Sequence, residues 1–323
     1  MNSHDFSNKT EFGIQKEAER YTWVGYMLFV LISSLIGDTT ILVASIRYKA
    51  FKLHSCIVAI IQHIAVCDLM VSLSGALPRV VALIADNWVL ADWFCDIQPY
   101  VKYYLNVVGM YLICSMTTCK LVILRAPLRA RGLESRKAHI GCAVIWTSML
   151  SLPAAFFLVD KSDQIYDFRA YNCEFGYSSV IWKWLRPVLS TVFMVIPNFL
   201  VIASTVNLLI IAKKVASQGR HTVKWQGIIT IILVAVIYCL SLLPYAIYSF
   251  VGPRLADKNS FFHNEFLRIS LSCLYFNTMS NFYVYSLTVA SFRQFLLSRI
   301  LGSKQLMSSN AIASSQGKYP ECF

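Results

Sequence analysis

Seven long, almost uncharged apolar runs divide this 323-residue chain, at approximately 22–46, 56–83, 95–124, 139–159, 184–212, 225–251 and 264–290. About 20 apolar residues in a helix cross the ~30 Å hydrocarbon core of a bilayer. Away from closed barrels, only a helix satisfies its own backbone hydrogen bonds in lipid. The runs therefore predict an all-α membrane protein, a seven-transmembrane helix bundle. Composition points the same way: 57% of residues are hydrophobic and 14% charged, against about a quarter charged in soluble domains.

Segments outside the runs set the expected organisation. Residues 1–21 are polar, lack the apolar core of a cleavable signal, and read as an N-terminal tail. The first span would then act as an uncleaved signal anchor. Residues 22–290 form the membrane domain. Residues 291–301 mix Arg293 and Arg299 with Phe292, Phe295, Leu296 and Leu297, the pattern of a short amphipathic eighth helix on a membrane surface. Residues 302–323, rich in small polar residues, are expected to be disordered. No internal repeat of the kind many transporters carry is visible.

Charge predicts orientation. Arg47, Lys49 and Lys52, then Arg125, Arg129, Arg131, Arg136 and Lys137, then Lys213, Lys214, Arg220 and Lys224 fall in connections on one side of the bundle. Arg293, Arg299, Lys304 and Lys318 of the C-terminal segment join them, with Glu134 and Glu321 as that side's acids. Basic residues stay on the cytoplasmic side, so the N-terminus is expected outside and the protein at the plasma membrane. The formal net charge of +12 then reflects topology and attraction to anionic lipid headgroups, with no need of nucleic acid as partner. Asn8 heads an Asn-Lys-Thr sequon and becomes a glycosylation candidate in that orientation.

The ten cysteines sort by depth. Cys56, Cys67, Cys114, Cys119, Cys142, Cys239 and Cys273 lie within or at the ends of spans, where a free thiol acts as a small hydrophobe. Cys322 sits in the tail. Cys95 and Cys173 are the two in outward-facing segments, where disulfides persist, and one bridge between them is expected. No cysteine or histidine cluster suggests a metal.

Polar residues inside the spans carry a family resemblance. Gly37-Asp38, Ile64-Ala65-Val66-Cys67-Asp68, the stretch from Trp88 to Cys95, Trp146, Pro197, Ser241-Leu242-Leu243-Pro244 and Asn281-Phe282-Tyr283-Val284-Tyr285 fall in order at the spacing of a rhodopsin-like (class A) G-protein-coupled receptor. Several motifs are altered: Asp38 replaces Asn, Leu242 replaces Trp, Phe282 replaces Pro. The family's Asp-Arg-Tyr lies twenty-four residues after the bridging cysteine, and that count from Cys95 reaches Cys119-Lys120-Leu121. The Pro127-Leu128 pair follows at family spacing. The resemblance covers roughly residues 20–301 and implies no catalytic residues.

Each polar group has a plain reading and a functional one. Asp68 in mid-membrane costs at least about 2.5 kcal/mol when charged. It is either a hydrogen-bonded structural carboxyl or, as the resemblance implies, part of a sodium- or water-linked switch with Asn277, Asn281 and Tyr285. Asp38 faces the same interior, and two carboxyls in one dry cavity resist joint ionisation. Gly109 stands where the family supplies a serine hydroxyl. Lys120 is either a snorkelling anchor or, with Leu128 and Lys224, a contact for a G protein. There it replaces the planar fork of arginine with a point charge. Lys224 stands where the family often has glutamate, so repulsion would replace a lock.

In the outer half, Lys102 and Arg79 either pair with Asp96, Asp92 or a loop acid, or with Tyr245 and Tyr275 form a basic pocket for an anionic ligand, a peptide or an acidic small molecule. The seventh span has no lysine, and Tyr275 stands where opsins carry theirs, so retinal is not expected as a cofactor. The expected function is transduction of an extracellular ligand to a heterotrimeric G protein. A non-coupling or decoy receptor is the alternative, and an ion or solute transporter a second.

Overall fold

The computed structural model describes residues 3–51, 53–130, 132–159, 165–167, 170–174, 188, 192, 195–217, 225–251 and 261–300. Almost all of these are helical. The helices are α1 (Ser3–Ile46), α2 (Ser55–Val71), a π-helical turn (Ser72–Ala76), α3 (Leu77–Ala85), α4 (Asp92–Arg125), α5 (Pro127–Ala130), α6 (Ser135–Val159), α7 (Ile196–Ser217), α8 (Trp225–Val251), α9 (Phe261–Thr288) and α10 (Ala290–Ile300). A two-stranded hairpin, β1 (Ile165–Asp167) and β2 (Asn172–Glu174), lies in the loop after α6. It pairs antiparallel, with Tyr166 opposite Cys173.

Seven helical units make the bundle: α1, α2–α3, α4, α6, α7, α8 and α9. Among the described residues, five stretches are long and apolar enough to cross a membrane: Glu17–Ile46, Ser55–Ala85, Asp92–Arg125, Ile196–Ser217 and Trp225–Tyr248. α6 and α9 supply the remaining two units. α1 packs on α2, α3 and α9, α2 on α4 and α6, α4 on α6, α7 and α8, and α8 on α9. The central helix is therefore α4. Its inward face, from Leu105 through Val108, Leu112 and Met116, is buried. Phe29, Ile36, Phe199, Ile210 and Leu240 point outward, as expected where lipid replaces water.

Proline marks the irregularities. Pro78 has no N–H to give the carbonyl of Ser74, four residues back, and the helix widens into the π turn just before it. Gln98 of α4 compensates, its Nε2 donating to Ser74 O at 3.2 Å. The same amide's Oε1 accepts the backbone N–H of Cys173 at 3.3 Å. Gln98 of α4 thus links the π turn to the outer hairpin. The helix α4 stops at Ala126, which is held at φ −135°, ψ 70°. The next residue is Pro127, and a residue before proline is driven out of the helical region.

Two expectations change here. Residues 3–21, expected as a separate tail, are continuous with the first span in the 44-residue α1. At 1.5 Å per residue such a helix is about 66 Å long, and its first part projects beyond a bilayer's thickness. The protruding end is anchored: Arg268 of α9 pairs with Glu19 and with Glu265, and Arg20 lies 3.4 Å from Asp86. The second change concerns cysteine. Cys56 and Cys119, expected as separate hydrophobic thiols, are paired, with their Cα atoms 7.5 Å apart. Nothing in linear order signals this, since 63 residues separate them.

A short helix, α10 (Ala290–Ile300), follows the seventh unit where residues 291–301 are expected to form one. Phe292 is fully buried and stacks on Phe51 with centroids 4.8 Å apart. Arg299 lies 4.3 Å over the Tyr48 ring. The expected 302–323 tail lies outside the described residues.

Candidate functional site

Under the hairpin, α4 and β2 bring together the first cluster. The Cys95–Cys173 disulfide, with Cα atoms 5.4 Å apart, pins β2 over the top of α4. Lys102, two turns further along α4 and 6% exposed, donates from Nζ to Cys173 O at 2.9 Å and to Glu174 Oε1 at 3.0 Å. Asn172 Nδ2 donates to the same carboxylate oxygen at 3.1 Å. The loop acid that sequence left open is Glu174. A cavity of about 20 Å³ adjoins the pair, lined by Pro99, Lys102, Tyr103, Asn106, Glu174, Tyr245, Leu271 and Leu274. That is room for about one water, so in this state the pocket is closed.

Arg79 and Tyr275 form a neighbouring cluster, and they do not line that cavity. Arg79 is 1% exposed and lies 5.8 Å from the Tyr275 ring centroid. Its Nη2 reaches Arg268 O at 3.4 Å, while Nε and Nη1 have no hydrogen-bond partner among the described residues. Gly75 of the π turn makes this possible: a Cβ there would meet Tyr275 Cε1 at 2.8 Å. The expected basic pocket is therefore two compartments, one holding Lys102 against Glu174 and the other Arg79 against the Arg268 carbonyl and the Tyr275 ring.

The hairpin is also held from its turn. Tyr171, at φ 51°, donates its hydroxyl to Asp86 Oδ1 at 2.8 Å. Burial, and then the adjacent Asp86, push this phenol up to about 12, so it stays a donor at neutral pH. Asp86 is itself in the left-handed conformation that ends α3. This one aspartate gathers α1, α3 and the hairpin.

Asp68 and Asp38 are both buried inside the bundle. Asn281 Nδ2 donates to Asp68 Oδ2 at 2.7 Å. Ser34 Oγ donates to Asp38 Oδ2 at 2.8 Å and sits 2.7 Å from Ser72 Oγ. Asp38 Oδ1 and the Tyr285 hydroxyl are buried with no partner among the described residues. Asn277 is buried one turn before Asn281 and makes no side-chain hydrogen bond to Asp68 among the described residues. Sequence missed Tyr238: its hydroxyl donates to Asn106 O at 2.8 Å and fills the space beside Gly109. A Cβ on that glycine would lie 3.2 Å from it. The missing serine hydroxyl is replaced by a phenol from α8.

At the far end of α4, half-buried Lys120 reaches toward α8. A Cβ at Gly227 would lie 3.6 Å from Lys120 Nζ. Leu128 on α5 is 78% exposed. Lys224 lies outside the described residues, and Asn8 sits in α1 with its side chain undescribed.

A seven-helix membrane bundle with a hairpin bridged to its central helix defines a receptor class. The sequence profile of the 7 transmembrane receptor (rhodopsin family) matches residues 37–285, and the chain belongs to that family. It is 25% identical over 255 residues to pinopsin from Columba livia, covering 73% of this chain and 71% of the relative. It is 20% identical over 300 residues to a QRFP-like peptide receptor from Branchiostoma floridae, covering 86% and 76%. Vertebrate ancient opsin from Salmo salar is 24% identical over 258 residues, covering 73% and 77%. The chain is thus a multi-pass membrane receptor of the rhodopsin-like class, a class that is not enzymatic.

Proposed function

We propose that this receptor sits in the plasma membrane with its N-terminus outside, takes up an extracellular ligand beneath the β1–β2 hairpin, and signals to a heterotrimeric G protein at its Lys120 end. One observation carries the reading: a single helix, α4, bears Lys102 in the capped pocket and Lys120 at the opposite end. Eighteen residues of helix span about 27 Å. A shift of α4 that follows breaking of the Lys102–Glu174 pair is thus transmitted by a rigid element.

The ligand class is acidic. Glu174 already places a carboxylate on Lys102, and an incoming acid would exchange with it, while Arg79 Nε and Nη1 are donors with no hydrogen-bond partner among the described residues. A peptide with an acidic residue or a small carboxylic acid fits. The peptide-receptor relative lends support. The opsin relatives do not extend to retinal here, because α9 has no lysine and Tyr275 takes the matching position. Asp68, Asn281 and Asp38 Oδ1, which has no hydrogen-bond partner among the described residues, fit a sodium ion, which would relieve the repulsion between two buried carboxylates.

The test is a ligand screen with a promiscuous G-protein readout on surface-expressed receptor, followed by Lys102→Ala. The reading requires at least about a tenfold loss of potency, in keeping with a partly desolvated charge pair. Unchanged potency for an acidic agonist would reject it. The non-coupling alternative rests on Cys119, which supplies no acid beside Lys120 and is paired with Cys56.

A further inference from the structure

We propose that Cys56 and Cys119 are a reversible thiol–disulfide site, oxidised by a hydroperoxide, that ties α2 to α4 beside Lys120. Cys56 begins α2 and is 1% exposed. Cys119 lies near the end of α4 and is half-buried. Their sulfurs are in contact across the helix interface. Among the described residues, Cys67, Cys114, Cys142, Cys239 and Cys273 remain single, so the pairing is selective.

The two sulfurs differ in access, and this assigns their roles. Reactive cysteines are accessible, lie near positive charge and stand next to a second cysteine that resolves them. Cys119 meets the first and last of these conditions: it is the more accessible of the pair, and Cys56 touches it. The Cys119 thiolate attacks the peroxide, the O–O bond breaks, and one water leaves, giving a sulfenic acid. The Cys56 thiolate then attacks that sulfur, the S–O bond breaks, and a second water leaves. Two thiols lose two electrons and hydrogen peroxide becomes two waters. A thiol reductant reverses the bond by exchange.

The bond has a mechanical consequence. Disulfides usually hold Cα atoms about 5.5–6 Å apart, and here the separation is 7.5 Å. The wide separation marks a bond that closes across the α2–α4 interface at the limit of its reach, so oxidation fixes the two helix ends to each other, while the dithiol leaves them held by packing alone. If this end faces a reducing cytosol, as the proposed orientation has it, the dithiol is the resting form. The cysteine chemistry itself does not depend on ligand or G protein, so its test is separate from that of the receptor reading.

The experiment uses the full chain in nanodiscs, reduced with dithiothreitol, desalted and exposed to hydrogen peroxide. Peptide mass spectrometry then scores alkylation at every cysteine, with the Cys95–Cys173 link as internal reference. The expected result is a joint loss of alkylation at Cys56 and Cys119, appearance of their linked peptide, and reversal by dithiothreitol. In Cys56→Ser the sulfenic acid on Cys119 persists and is trapped by dimedone. In Cys119→Ser, buried Cys56 stays unmodified. Both thiols remaining alkylatable after peroxide would overturn the proposal. So would oxidation of Cys119 with no linked peptide, or a link that survives dithiothreitol. The wild-type measurement decides by itself if either variant fails to fold.

Discussion

Lys102 Nζ lies 3.0 Å from Glu174 Oε1, so a carboxylate carried by β2 sits against the ammonium of the central helix. The side chains are 8% and 14% exposed, and the contact is nearly dry. A pair in such a place contributes through what happens when it is broken: one partner alone leaves a buried charge.

Glu174→Gln should therefore lower stability by about 3 kcal/mol, the lower end of the range for breaking a buried pair. Adding Lys102→Met should restore part of the loss. Thermal unfolding of detergent-solubilised receptor measures both. Equal melting temperatures for wild type and Glu174→Gln would mean that the pair is open in solution.

Removing the outer bridge is a different kind of loss. Cys95 and Cys173 are 78 residues apart in sequence, and closing a loop of that order restricts the unfolded chain by about 4.5 kcal/mol. Cys173→Ser should depress the melting temperature and release the hairpin from Gln98 and Lys102. Mass spectrometry that found both thiols free in protein taken from cell membranes would refute the bridge.

Gly109 and Tyr238 should behave as one unit. Gly109→Ser puts a Cβ 3.2 Å from the tyrosine hydroxyl, and overpacking of this kind costs about 1–3 kcal/mol. Tyr238→Phe alone loses the bond to Asn106 O, worth about 1 kcal/mol. The double variant should cost less than the two single losses combined. Strict additivity in a double-mutant cycle would show that the residues do not share the space.

The mid-bundle carboxylates make a salt-specific prediction. Replacing choline chloride by sodium chloride should raise the melting temperature of the wild type, and Asp68→Asn should abolish the increment. An increment that persists in Asp68→Asn would place sodium elsewhere or nowhere.

At the other end of α4, a Cβ added at Gly227 would lie 3.6 Å from Lys120 Nζ. Gly227→Asp should place a carboxylate against that ammonium and lower ligand-independent signalling. Lys120→Arg should raise the stimulated maximum, since a guanidinium offers more donors than an ammonium. If neither change moves any G-protein readout, the non-coupling reading gains.

What sequence alone determined about this receptor is what depends on distance along the chain. Seven apolar runs dictate seven crossings, because each must satisfy its own backbone bonds in lipid. The interval from Cys95 to Lys120 survives as a count along one helix. Asp68 and Asn281 meet as their span positions implied. The partner of Lys102 could be narrowed to a loop acid but not chosen among several.

Tertiary structure decided what depends on how helices rotate and lean against one another. Hydrophobic periodicity does not signal the π turn before Pro78, yet one extra residue in a turn rotates everything after it by about 100°. That rotation goes with the close approach of Gly75 to Tyr275 and the burial of Arg79. Cys56 and Cys119 meet across two helices, Tyr238 fills the gap at Gly109 from a third, and α1 runs on from Ser3 to dock Glu19 on Arg268. Each is a contact between side chains far apart in sequence. Only packing selects such pairs, because apolar pattern says which face is buried but not which residue lies opposite.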